Sequence, residues 1–202
     1  MKVFRPLLIT CALACLCALQ IVRVNQDSSM PRSEYYRVGD EVPFDGCFLN
    51  SASGSEGYTL VVNGVERMSR LEYVERFGLE GKAAPAGEDE VAVVDVTVSN
   101  ASAPPVEGDE PALGIELVGM SLNMPNGDVV SGVDSELWST SEPSVPPEGI
   151  GYLTILPQTT YRTHIPFDAA YSIDSATGMI AGDYELHLTA EPVRKHVRAH
   201  LE

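Results

Sequence analysis

Past its first 24 residues the chain has a single cysteine, Cys47. One cysteine cannot close an internal disulfide, supply a cysteine zinc set or form a redox pair, so the folded part stands on its core. Basic residues are also scarce, 13 against 29 acidic over 202 residues. Three of the basic ones, Lys2, Arg5 and Arg23, lie in those first 24, which leaves 10 and a net charge of about −19 on the rest. Such a surface repels phosphate backbones and excludes a broad nucleic-acid-binding face. No Gly-x-Ser-x-Gly elbow and no phosphate-cradling glycine loop with a lysine occurs. There is no internal repeat and no alternation of strands with long helical patterns, which excludes a parallel α/β sheet.

What is present begins with an apolar run, Pro6 to Val22, preceded by Lys2 and Arg5. At about 17 residues it reaches the short end of a membrane span. Thr10 and Gln20 alone interrupt it and make no polar face, so it does not suit a buried soluble helix. The positive residues before it place the amino end inside and the remainder outside. Two fates fit: an uncleaved signal anchor, or a cleaved signal peptide, of the lipoprotein or plain secreted kind. The length of the run favours the anchor. Cys11, Cys15 and Cys17 lie within the run and act there as small hydrophobes.

The clearest folded element is Val91 to Asn100, VAVVDVTVSN. Ala92, Val94, Val96 and Val98 point one way and Asp95, Thr97 and Ser99 the other, the pattern of a central antiparallel strand with one buried face. Tyr35 to Phe44 is expected as a first strand broken at Gly39-Asp40, with Pro43 marking an edge or bulge. Tyr58 to Val65 is expected as a second. Ser69-Arg70-Leu71-Glu72 forms a capping box that opens a short helix over Arg70 to Phe77, with Leu71, Val74 and Phe77 on one face and Gly78 as its stop. Met68 and Tyr73 stand at hydrophobic-staple positions. Further strands are expected over Leu113 to Leu122, Gly151 to Leu156, Thr160 to Phe167 and Asp183 to Ala190, the last with Tyr184, Leu186 and Leu188 inward. Residues 131–151 give no clear pattern, although Leu137 and Trp138 suit a loop or short helix that anchors there.

These elements predict an all-β domain with one short helix, an immunoglobulin-like two-sheet sandwich behind an N-terminal transmembrane helix. The expected boundaries are 1–24 for the signal anchor, 25–34 for a linker, 35–191 for the sandwich and 192–202 for a polar tail.

The order of the blocks YYRVGDEV, EGYTLVVNGVERMSRLEYVERFG, VVDVTVSN, LPQTTYRTHIPF and YELHLT resembles a family of single-span exported proteins of Gram-positive bacteria and Actinobacteria. That family is known only as domain of unknown function 5028, and it is similar to immunoglobulin-like lipoprotein domains of the telokin type. The resemblance covers about residues 1–195. It implies an immunoglobulin-like sandwich outside the membrane, and it carries no activity and no catalytic residues.

Four groupings could carry chemistry. Glu88, Asp89, Glu90, Glu107, Asp109 and Glu110 could meet as a calcium site, but no spacing matches a calcium loop. His187 and Glu185 share the outward face of one strand, and His164 lies outward on its expected neighbour, a set able to hold a transition metal. His196 and His200 sit in the tail with Arg194, Lys195 and Arg198, where a small contact with anionic lipid is conceivable. Cys47 could act as a nucleophile beside a histidine, but in GCFLN it suits buried packing better. None is a defined site, so no catalytic residue, metal or cofactor is expected. The function expected is a membrane-anchored, extracytoplasmic binding module for a cell-envelope or extracellular partner. A metal-dependent or hydrolytic envelope enzyme is the alternative.

Overall fold

In the computed structural model, the strand expected at the centre is β4 (Glu90–Asn100), paired on both sides. Ala92, Val94, Val96 and Val98 are fully buried, while Asp95, Thr97 and Ser99 are partly exposed, so the register is as the alternation predicts. One neighbour is β3 (Tyr58–Ser69), the other β9 (Thr159–Ser172). The structure describes residues 31–49, 54–77, 90–103, 114–124, 129–142, 152–172 and 181–202. The expected span at 1–24, the linker up to Met30, Gly78 and the prolines at 143–147 lie outside these residues. Among the described residues no helix is long and apolar enough to cross a membrane.

The remaining strands are β1 (Arg32–Arg37), β2 (Glu41–Pro43), β5 (Ile115–Glu116), β6 (Ser121–Asn123), β7 (Val129–Val133), β8 (Tyr152–Leu153), β10 (Gly182–His187) and β11 (Val193–Leu201). Nine of the eleven form one sheet, ordered β1-β11-β10-β6-β7-β9-β4-β3-β2. The first and last strands of that order, β1 and β2, are joined only by Val38–Asp40. A three-residue link cannot span an open nine-stranded sheet, in which neighbours lie about 4.8 Å apart. The sheet must therefore roll up until its two edges lie side by side. It makes a nearly closed, barrel-like form in residues 33–202, not two separate facing sheets. Gly39 supplies the turn with φ +90°, and its N–H bonds the Val62 carbonyl at 2.8 Å. Pro43 sits on the edge strand β2, where its missing N–H costs no ladder bond.

The interior is apolar. Phe44, Leu60, Val96, Leu122, Phe167, Tyr184, Leu186 and Val197 belong to one buried cluster. Each such aliphatic or aromatic side chain is worth about 1.5–3 kcal/mol on burial. Leu113 to Leu122 is not one strand. It divides at Val118-Gly119 into β5 and β6, and β5 leaves the main sheet to pair with β8. Gly114 is required there, because a Cβ would lie 2.1 Å from the Leu153 carbonyl oxygen.

Among the described residues two helices stand where one was expected. α1 (Arg70–Arg76) starts at the Ser69 cap, whose hydroxyl accepts from the Glu72 N–H at 3.1 Å. The Glu72 carboxylate takes a bond from Arg76 at 2.8 Å. Tyr73 and Val74 are the buried pair, whereas Leu71, expected on the inner face, is 51% exposed. α2 (Ser135–Ser141) carries Leu137 and Trp138. β7 pairs with β9 from Phe167 onward, and α2 packs beside β9. Trp138 turns into the barrel and donates to Thr163 Oγ1 at 3.0 Å, while Leu137 joins Tyr73, Val91 and Val93 in a second cluster on the outer face. One carboxylate ties the helices together: Asp134 caps Leu137 N–H at 2.9 Å and meets Arg70 at 2.6 Å.

The largest correction concerns residues 192–202. They are not a tail, because Val193–Leu201 form β11, which pairs with β10 residue for residue. Val197, Ala199 and Leu201 face the core. Lys195 is on the same inward face, and this charged position is what masks the alternation in the sequence.

Candidate functional site

Period-two alternation puts the polar residues of β10 and β11 on the outside of the barrel. Their register makes three direct pairs: His187 opposite His196, Glu185 opposite Arg198, and Asp183 opposite His200. Arg198 Nε donates to Glu185 Oε1 at 3.1 Å, and His200 Nδ1 lies 2.7 Å from Asp183 Oδ1. The rings of His187 and His196 meet edge to face, centroids 4.3 Å apart. From β1, Tyr35 stacks on His196 with ring centroids 5.1 Å apart, and the Arg198 guanidinium lies over the same Tyr35 ring, 4.4 Å from its centroid. The contacts thus run in a circuit through Glu185, Arg198, Tyr35, His196 and His187. From β6, Asn123 Nδ2 lies 3.3 Å from His187 Nδ1.

Stacking under Tyr35 leaves His196 only 6% exposed although it points outward. Burial pushes the pKa of both imidazoles below the ordinary histidine range; the nearby Glu185 works against this, and for His196 the charge of His187 adds to it. The lowering favours the neutral ring, the form with a lone pair to offer. One donor atom from each of Glu185, His187 and His196 lies within 4.8 Å of the other two. Beside them Asp183, Glu185, Arg198 and His200 line an open hollow of about 500 Å³.

His164 does not join Glu185 and His187. It lies on β9, whose partners are β4 and β7, and it sits 3.8 Å from Asp95 and against Phe77. Its place is taken by His196, which the expected tail had set apart. The signal for it was the continued alternation of Val197, Ala199 and Leu201 past Pro192. The basic cluster for lipid also dissolves, since Lys195 is buried and Arg198 is engaged by Glu185. Of the acidic loops, Glu88, Asp89, Glu107, Asp109 and Glu110 lie outside the described residues, while Glu90 faces Arg67 at 3.8 Å. Cys47 is 3% exposed and packed, its carbonyl accepting from Ser55 at 2.7 Å.

A mostly antiparallel sheet rolled nearly shut around an apolar core, with histidine and charged side chains on the outer face of β10 and β11, defines the class: a barrel-like β domain. The chain belongs to the family Domain of unknown function (DUF5028), which matches residues 33–195. Glu185 and His187 fall inside the matched range, and His196, Arg198 and His200 just beyond it. No curated protein and no solved structure matches the chain.

Proposed function

We propose that the protein is a bacterial membrane-anchored binding module, held by the run Pro6 to Val22 with its β domain outside the cytoplasm. One observation carries the binding part. The main buried cluster is apolar, and Tyr35, Glu185, His187, His196 and Arg198 form a connected group on the outer face of β1, β10 and β11. The anchor rests on Lys2 and Arg5 before the apolar run. Kinship to telokin-like, immunoglobulin-like domains belongs to the same proposal, since opposite walls of the rolled sheet press their apolar faces together as sandwich sheets do. A net charge of about −19 beyond residue 24 favours a neutral or basic partner, with binding to a basic one weakening as salt rises. The grouping of Glu185, His187 and His196 favours a second possibility, a metal-dependent envelope enzyme.

The test places a photo-crosslinking residue at Tyr35 in the full chain on living cells, and a second at Thr97, outward on β4. Capture of one defined partner from position 35 and not from 97 is expected. Equal capture from both positions, or none from 35, overturns the surface assignment. Protease added to wall-stripped intact cells should digest the domain; a domain cut only after lysis refutes the topology. Hydrolysis of envelope substrates by the purified chain would instead favour the enzyme.

A further inference from the structure

We propose that Glu185, His187 and His196 form a binding site for one zinc-class divalent metal ion. The inference stands whether or not the same face also meets a partner.

The backbone already aligns the donors. His187 and His196 are direct partners across β10 and β11, and Glu185 is two residues from His187 on the same face. Two imidazoles and a carboxylate are the donor set of borderline metals such as zinc, not of calcium or magnesium. At metal bonds of about 2.0–2.2 Å, tetrahedral donors stand roughly 3.3–3.6 Å apart. Here they lie within 4.8 Å, so side-chain rotation of about an ångström closes the site with the strands unmoved.

A second observation points to a ligand independently. His196 is 6% exposed, and its Nδ1 is buried with no hydrogen-bond partner. Such a group costs stability unless something meets it. The surroundings also fit those of a metal-binding histidine. Asn123 contacts Nδ1 of His187, and its own Oδ1 is buried without a partner. With the amide placed the other way round, Oδ1 would lie against both His187 Nδ1 and Ser121 Oγ, 3.3 and 3.0 Å away, and Nδ2 would take the position that lacks a partner. The His187 proton then sits on Nδ1, and Nε2 is left free to bind metal. Arg198 holds Oε1 of Glu185 and leaves Oε2, while its positive charge moderates the affinity. Three protein donors leave a fourth position for water or for a donor from a bound molecule.

The experiment uses the full chain in mild detergent, purified without a histidine tag and stripped with chelator. Zinc is titrated by calorimetry, and cobalt is added in parallel to read its visible absorption. One zinc per chain, cobalt bands of low-symmetry coordination and a raised melting temperature are expected. Glu185→Gln keeps the side chain's shape and should weaken zinc by at least about tenfold. His187→Ala and His196→Ala should abolish the cobalt bands. His164→Ala and His200→Ala should leave zinc binding as in the wild type. Absence of stoichiometric zinc overturns the proposal. So does zinc binding that survives both Glu185→Gln and His196→Ala, or that is lost in His200→Ala instead. If His196→Ala fails to fold, Glu185→Gln decides alone.

Discussion

Lys195 on β11 donates from Nζ to the main-chain carbonyl of Pro43 on β2, across the place where the two edges of the rolled sheet meet. The side chain is 3% exposed and lies 3.7 Å from Asp45 Oδ2. A side-chain bond here does the work that a strand-to-strand bond does elsewhere in the sheet. Lys195→Ala leaves that carbonyl without its donor and should lower stability by about 1–3 kcal/mol. Lys195→Met restores the apolar stem and should recover part of the loss. Urea denaturation of the three proteins measures both, and an unchanged midpoint for Lys195→Ala would show the bond to be dispensable.

Val96 is completely buried, and its neighbour Thr97 lies on the outer face opposite Arg162. Val96→Asp puts an unpaired carboxylate among apolar side chains and should unfold the domain. Thr97→Asp meets water and a guanidinium, and should lower the melting temperature only slightly. Equal losses by circular dichroism would overturn the register of β4.

Ser69 is the cap of α1, accepting from the Glu72 N–H. Ser69→Ala should cost about 1 kcal/mol with the fold retained. The denaturant midpoint reports it; no shift would mean that the helix is held by Tyr73 and Val74 alone.

Asp95 accepts from Arg162 Nε at 2.9 Å and from Asn63 Nδ2 at 3.1 Å. The bond from Arg162 is the chief cause that holds its carboxyl below the usual carboxylate range, against partial burial. A carboxyl depressed in the folded state stabilises fully above the unfolded value of about 3.9 and loses that stabilisation as pH falls through the lower folded value. Asp95→Asn should therefore be less stable than wild type at neutral pH, with the gap narrowing below about pH 4. A gap that stays constant from pH 7 to the acid end would contradict this.

Elements with a strong local pattern were legible in the sequence. β4 alternates β-branched residues, Ser69 and Glu72 mark the helix start, and Tyr184, Leu186 and Leu188 all turn inward as expected. What was hidden depended on distant contacts. β11 presents few apolar residues, because Lys195 takes an inward position through its bond to Pro43, more than 150 residues away. His196 is covered in part by Tyr35, from the other end of the domain. Tyr73 is buried in place of Leu71, with its Oη 2.8 Å from Ser141 Oγ on α2, a contact that the local pattern does not show. The closing of the sheet was likewise invisible, since it follows from which strands pair at the two edges, not from any one strand's pattern.

The pairing of β1 with β11 also sets when the domain can fold. β1 leaves the ribosome long before its sheet neighbour at residues 193–201 is made. Until then Tyr35 and Tyr36 stay unpaired and the seam at Pro43 stays open. Closing so long a loop is entropically slow, which ties folding to the synthesis of β11. A nascent chain stalled before Val193 should remain sensitive to protease and dependent on holding chaperones, and it should become resistant only once Leu201 has emerged.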